Sequence, residues 1–365
     1  MTPDPADVAA DGVASIAAGS SIMAREIRDI PVRLADLIAA GRGDVDGAAS
    51  AIASARPRWA SVAGRGTSDH AATFGRYLLE TVLGMPSGLA APSVTSVYEA
   101  PIDWTGGLLL AVSQSGQSPD LIAVARAARA GGALTIALTN DASSPLAAAA
   151  DCVIDCRAGP ELSVAATKTY VAELVALALL VEAVRPEIGL RRQLDRLPDE
   201  IGRVIGRSDR WLEVTDVVDR FAAADRALVV SRGYNLATAL EIALKLKEVA
   251  GLFAEGYSTA DLQHGPVALA GPDVPVLAIR PPGHMAARVD DVVGRLASAG
   301  STPWMIDAGS NDGSDRELRL GLDLADVLSP AALVVPGQLL AEAVARRRGL
   351  DPDAPRGLAK VTRTT

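Results

Sequence analysis

Short apolar runs alternate along this chain with longer stretches whose apolar positions recur every three to four residues. The runs at 58–63, 108–112, 134–139 and 152–155 read as strands, and the stretches at 69–83 and 120–130 read as helices. A further helix is expected over 21–40, bent or restarted at Pro31, because proline removes a backbone donor. The same order returns in the second half. Runs at 227–230, 276–279, 303–306 and 333–335 read as strands. The first leads through Ser231-Arg232-Gly233-Tyr234-Asn235 into a helix, and the second through Arg280-Pro281-Pro282-Gly283 into another. Strands that alternate with helices predict an α/β fold with two mostly parallel sheets, each covered by helices on both faces.

Ala63-Gly64-Arg65-Gly66-Thr67-Ser68 and Val230-Ser231-Arg232-Gly233-Tyr234-Asn235 repeat one strand–turn–helix passage, which points to an internal duplication. A chain of 365 residues exceeds the usual size of one core, in keeping with two units. The organisation expected is a disordered tail over 1–20, a first unit over 21–195, a second over 205–345 and a C-terminal tail over 346–365. The polar, Arg- and Asp-rich helical stretch 185–210 joins the units.

Composition narrows the partners. Aromatic residues make up only 3% of a chain that is 49% hydrophobic, so Ala, Val, Leu and Ile must build the core. A formal charge of −9 repels a phosphate polymer, and no nucleic-acid partner is expected. Arg346-Arg347-Arg348 reads as a solvated helix end. Cys152 and Cys156 on one strand face lie about 13 Å apart, too far for a disulfide. Three histidines assemble no metal set by spacing, and no metal or other cofactor is expected. The first 20 residues lack the basic start and apolar run of a signal peptide. No apolar span of about 18 residues stands out as a membrane helix, so no membrane partner and a cytoplasmic location are expected.

Candidate chemistry sits in two places. Ser113-Gln114-Ser115-Gly116-Gln117-Ser118 offers three hydroxyls and a glycine where a strand turns into a helix, and Gly66-Thr67-Ser68 offers the same on another strand end. Helix N-termini present free N–H groups, so either loop could cradle an anion, although Ser and Gly are also ordinary cap and turn residues. Neither loop is a Walker or dinucleotide motif, because the glycine spacing differs and no Gly-Lys-Ser/Thr follows. The second place is a helix in which Glu241, Lys245 and Glu248 share one face amid Ile242, Ala243, Leu244 and Leu246. The spacing fits a ladder of ion pairs; it also fits a carboxylate held against an apolar wall for proton transfer. His264, in Gln263-His264-Gly265-Pro266, reads either as a turn histidine or as a chemical one. His70 reads as structural, His284 has no nameable partner, and Lys168 fits an anion site or a helix surface equally.

These residues resemble the sugar isomerase (SIS) domain family, and more narrowly the isomerase half of glucosamine-6-phosphate synthase and its stand-alone deaminase relatives. The pieces that carry the resemblance are Gly66-Thr67-Ser68, Ser113-Gln114-Ser115-Gly116, Ala158-Gly159-Pro160-Glu161 with Ala165-Ala166-Thr167-Lys168, the helix from Glu241 to Glu248, His264-Gly265-Pro266, and Pro355-Arg356-Gly357-Leu358-Ala359-Lys360. The resemblance implies two tandem SIS units and a homodimer. It implies that Gly66, Thr67, Ser68, Ser113, Gln114, Ser115, Ser118 and Val164 hold a sugar phosphate. It further implies that Glu248 carries a proton between C1 and C2, with Glu241 and Lys245 tuning it. By the same resemblance His264 opens the sugar ring in the neighbouring subunit's site, and Lys360 comes from a tail that closes the cavity.

Three departures bear on the reaction. No glutaminase segment is expected ahead of residue 21; the ending Val361-Thr362-Arg363-Thr364-Thr365 is nearer the deaminase type; and Gln263 and Ala166 stand where the synthase pattern has a basic residue and a hydroxyl. Deamination of glucosamine 6-phosphate is therefore expected. Loss of water from N-acetylglucosamine 6-phosphate, action on another 6-phosphosugar, and a sensor without turnover are the alternatives.

Overall fold

The computed structural model describes residues 20–310 and 314–360, so the expected N-terminal tail lies outside it except for Ser20. The first half forms one parallel sheet from β1 (Trp59–Ala63), β2 (Ser87–Leu89), β3 (Gly107–Ser113), β4 (Leu134–Thr139) and β5 (Cys152–Asp155), in the order β2-β1-β3-β4-β5. The second half forms another from β6 (Arg226–Ser231), β7 (Phe253–Ser258), β8 (Val276–Arg280), β9 (Trp304–Asp307) and β10 (Glu317–Arg319), in the order β7-β6-β8-β9-β10. The two orders are the same path traced twice, as the duplicated turn passages require.

The central strands are buried from end to end, as in all seven residues of β3, because helices cover both faces of a parallel sheet. Edge strands are another matter. β2, β7 and β10 are short or half-exposed and carry polar or charged residues, so no apolar run marks them in the sequence.

Three expectations are corrected. The helix Ile22–Ala40 does not restart at Pro31, because the proline costs one backbone bond while Ile27, Ile30, Leu34 and Leu37 stay buried around it. Residues 333–335 are not a strand; they lie inside the helix Ser329–Arg347. That helix is buried on nearly every side, and an apolar run with no polar face has no period by which to tell helix from strand. The same segment, Asp326–Arg347, does meet the length and hydropathy of a membrane span, yet 89% of its 18-residue apolar window is buried inside the molecule. Its apolarity serves the core.

Long helices bind the halves together. Arg191–Val214, within the expected joining stretch, packs on both Ile22–Ala40 and Ser329–Arg347. One continuous apolar core reaches from Met23 to Ala345. The C-terminal segment returns to the start of the chain: the Asp353 carboxylate accepts hydrogen bonds from the backbone N–H groups of Ile22 (2.6 Å) and Met23 (2.9 Å).

Candidate active site

In an open sheet of order 2-1-3-4-5, the ligand crevice lies beyond the carboxyl ends of the strands where the path reverses, between β1 and β3. The loops after those two strands are the Gly64–Ser68 and Ser113–Ser118 turns. They bound a cavity of about 350 Å³. Gly66 (φ +55°) starts the helix Thr67–Thr81, and Pro119 opens the helix that follows Ser118. Gly116 (φ +60°) is required twice over, since a Cβ there would also meet Ser144 Oγ at 2.1 Å.

Gly66, Thr67, Ser68, Ser113, Gln114, Ser115, Ser118 and Val164 all line this cavity, as do Glu248 and Lys360. Glu241 and Lys245 lie just behind it, fully buried on the helix Leu236–Ala250. Lys245 Nζ is 3.3 Å from Glu241 Oε1, pairs closely with Glu248, and donates to Thr67 Oγ1 at 3.0 Å. Burial presses against the Lys245 charge, but Glu241 and Glu248 outweigh it and hold the ammonium above the usual lysine range. His70 Nδ1 lies 2.8 Å from Glu241 Oε2, a structural position that braces the same carboxylate. The row is therefore an ion-pair ladder and a cavity wall at once. Glu248 is its open end, with a side chain 22% exposed where Glu241 and Lys245 are closed.

His264 is not brought to this cavity; it stands exposed in the turn before Pro266–Leu269. Lys168 is buried against Asp29 (3.2 Å) and Glu26 (4.0 Å), away from the cavity lining. His284 begins the helix His284–Ser298, also apart from it.

Three further residues belong to the site and carry no periodic signal. Glu161 accepts hydrogen bonds from the Thr167 and Thr169 backbone N–H groups (2.9 and 3.2 Å) and from Gln114 Nε2 (3.0 Å). Lys360 Nζ reaches the same carboxylate at 3.5 Å and donates to the Ser163 carbonyl at 2.7 Å, which ties the end of the described chain into the cavity lining beside Leu358 and Ala359. Arg65 lines the cavity and is held by the buried Asp120 carboxylate at 2.6 Å. Glu173 lies at the inner wall, fully buried, with Ser68 Oγ 2.8 Å from its Oε1. Burial, then the nearby charges of Glu161 and Glu241, push its carboxyl well above the usual carboxylate range.

A parallel sheet with hydroxyl-rich loops at its switch point, backed by a carboxylate–ammonium–carboxylate row, defines an α/β protein with a polar site in its sheet-edge crevice. The chain belongs to the SIS domain family, whose model matches residues 57–183 and 220–326. It is 38% identical over 304 residues to the glutamine–fructose-6-phosphate aminotransferase [isomerizing] of Methanothermobacter thermautotrophicus, covering 81% of this chain and 50% of that protein. The Pseudomonas aeruginosa protein of that name is 33% identical over 319 residues, with 84% and 52% covered. The chain thus spans about half the length of these relatives. Among solved structures, a Silicibacter pomeroyi protein described provisionally as a phosphosugar isomerase superposes with a TM-score of 0.82 at 37% identity, over 92% of this chain and 100% of that one. A Thermotoga maritima glucosamine-6-phosphate deaminase shares the fold with a TM-score of 0.77 at 22% identity, over 94% and 100%.

Proposed function

We propose that this chain converts glucosamine 6-phosphate and water to fructose 6-phosphate and ammonia. The observation that carries the reading is Glu248: a carboxylate open to the cavity, fixed by a buried Lys245, in one lining with the hydroxyl-rich loops. The aminotransferase relatives support it by naming fructose 6-phosphate and isomerisation. The cradle binds the phosphate and so orients C1 and C2 toward Glu248. Glu248 takes the C2 proton of the open-chain aldehyde, and the electron pair moves through C1 to its oxygen, giving an enolamine. Return of the proton to C1, with the nitrogen lone pair closing the C2–N double bond and a nitrogen proton passing to O1, leaves a ketimine at C2. Water adds to C2, the C–N bond breaks with the nitrogen as ammonia, and a ketone remains. Lys245 stabilises the carboxylate form of Glu248 before the first proton transfer and after the second.

His264 is absent from the lining of its own chain's cavity, which supports a second copy of the chain supplying it for ring opening. Ammonia release from glucosamine 6-phosphate tests the reading. Glu248→Gln is expected to lower turnover roughly 100-fold or more. No release by the unaltered protein, or equal release by the variant, would sink it. Interconversion of fructose 6-phosphate and glucose 6-phosphate without ammonia would instead make the chain a plain isomerase.

A further inference from the structure

The proton-transfer scheme leaves one buried acid of the cavity without a task. Glu173 Oε1 is paired with Ser68 Oγ, while Oε2 is buried with no hydrogen-bond partner among the described residues. Two more groups of the same helix turn that line the cavity, Thr169 Oγ1 and Tyr170 OH, are likewise buried and unpartnered. Apart from the Ser68 hydroxyl, which favours the charged form, the groups that bear on Glu173 are all acids: Cys156 after β5, Glu161 beside Gln114 and Lys360, Glu241 on the helix Leu236–Ala250, and Tyr170 on its own helix. Burial among acids favours the neutral carboxyl form.

The charge state of Glu173 decides which way Ser68 points. A serine hydroxyl has one proton. Beside a carboxylate, that proton turns inward to Glu173, and Ser68 offers a ligand only lone pairs, which repel a phosphate oxygen. A neutral carboxyl donates its own proton to Ser68 Oγ instead, and the Ser68 O–H is free to face the cavity. It also spares a bound dianion a full negative charge behind the cradle.

We propose that Glu173 is a positioning residue of the anion cradle: as a neutral carboxylic acid it donates to Ser68 Oγ and thereby makes Ser68 a donor to the phosphate monoester. This rests on the reading of the cavity as a phosphosugar site. Gln is the conservative stand-in, because its amide N–H also donates, whereas Met fills similar space without a donor.

Calorimetric titration with sorbitol 6-phosphate, which has no carbonyl and cannot turn over, tests it at fixed pH near 8. Glu173→Gln is expected to bind within about three-fold of the unaltered protein, and Glu173→Met about ten-fold or more weakly. In a Ser68→Ala background the Gln and Met variants are expected to bind alike, since no hydroxyl remains to orient. Gln and Met variants equally weak, or the Met variant as tight as the unaltered protein, would overturn the role of Glu173 while leaving the site intact. No binding by the unaltered protein would remove the phosphosugar reading, and this proposal with it.

Discussion

Glu241, Lys245 and Glu248 illustrate how one row of charges serves two ends. Lys245 is fully buried and persists because a carboxylate stands on each side; without them its desolvation would be uncompensated. Glu173 follows the opposite course and stays buried by remaining uncharged. That difference has a sign. A carboxyl whose folded value lies above its ordinary 4.5 keeps its proton in the folded state after the unfolded chain has lost it. Its contribution to stability is therefore full below about pH 4.5 and falls as pH rises toward the folded value. Glu173→Gln has no such proton to lose. Its thermal midpoint relative to the unaltered protein is expected to be higher at pH 8 than at pH 5; a constant difference would show that the folded Glu173 carboxyl is not raised above its ordinary range. The row Glu241–Glu248 was legible because one helix face repeats at fixed spacing. Glu173 was not, since 105 residues separate it from Ser68 and only the fold joins them. Glu161 was visible in a family pattern, but its hydrogen bonds to Gln114 and Lys360 belong to the folded chain alone.

At the scale of elements, the site depends on how tightly the helix Leu236–Ala250 seats against the helix Ser329–Arg347. Gly337 is the point of closest approach: a Cβ there would meet Ile242 Cδ1 and Cγ1 at 2.3 Å. Ile242 is one residue from Glu241, so a shift at this contact moves the charged row. Gly337→Ala is expected to destabilise the protein by about 1–3 kcal/mol through overpacking. The urea midpoint measures that loss, and an unchanged midpoint would refute the seating. The central strands and their helices were readable from apolar pattern because burial on both faces imposes it. The edge strands β2, β7 and β10 and the all-buried helix at 333–335 were not, the first for want of apolar residues and the second for want of polar ones.

The whole molecule unites two copies of one sheet, but the chemistry is divided unequally between them. The first half supplies the hydroxyl-rich loops and the second supplies Glu248, with His264 exposed and outside the lining of that cavity. If a second copy provides His264, two inactive variants have complementary defects. Mixing Glu248→Gln and His264→Ala chains under conditions that exchange subunits is then expected to restore up to about half of the per-site activity in each mixed dimer. Continued silence of the mixture would place both residues in one subunit's site. The internal repeat was legible because the same turn passage occurs twice; which surface meets a second copy has no comparable signature in one chain. The Asp353 cap on Ile22 and Met23 adds a mechanical consequence. It makes the start of the first helix the hinge pin of the strap that bears Lys360. A load on that helix start is handed to the segment bearing Lys360 through these two bonds, without passing through either sheet.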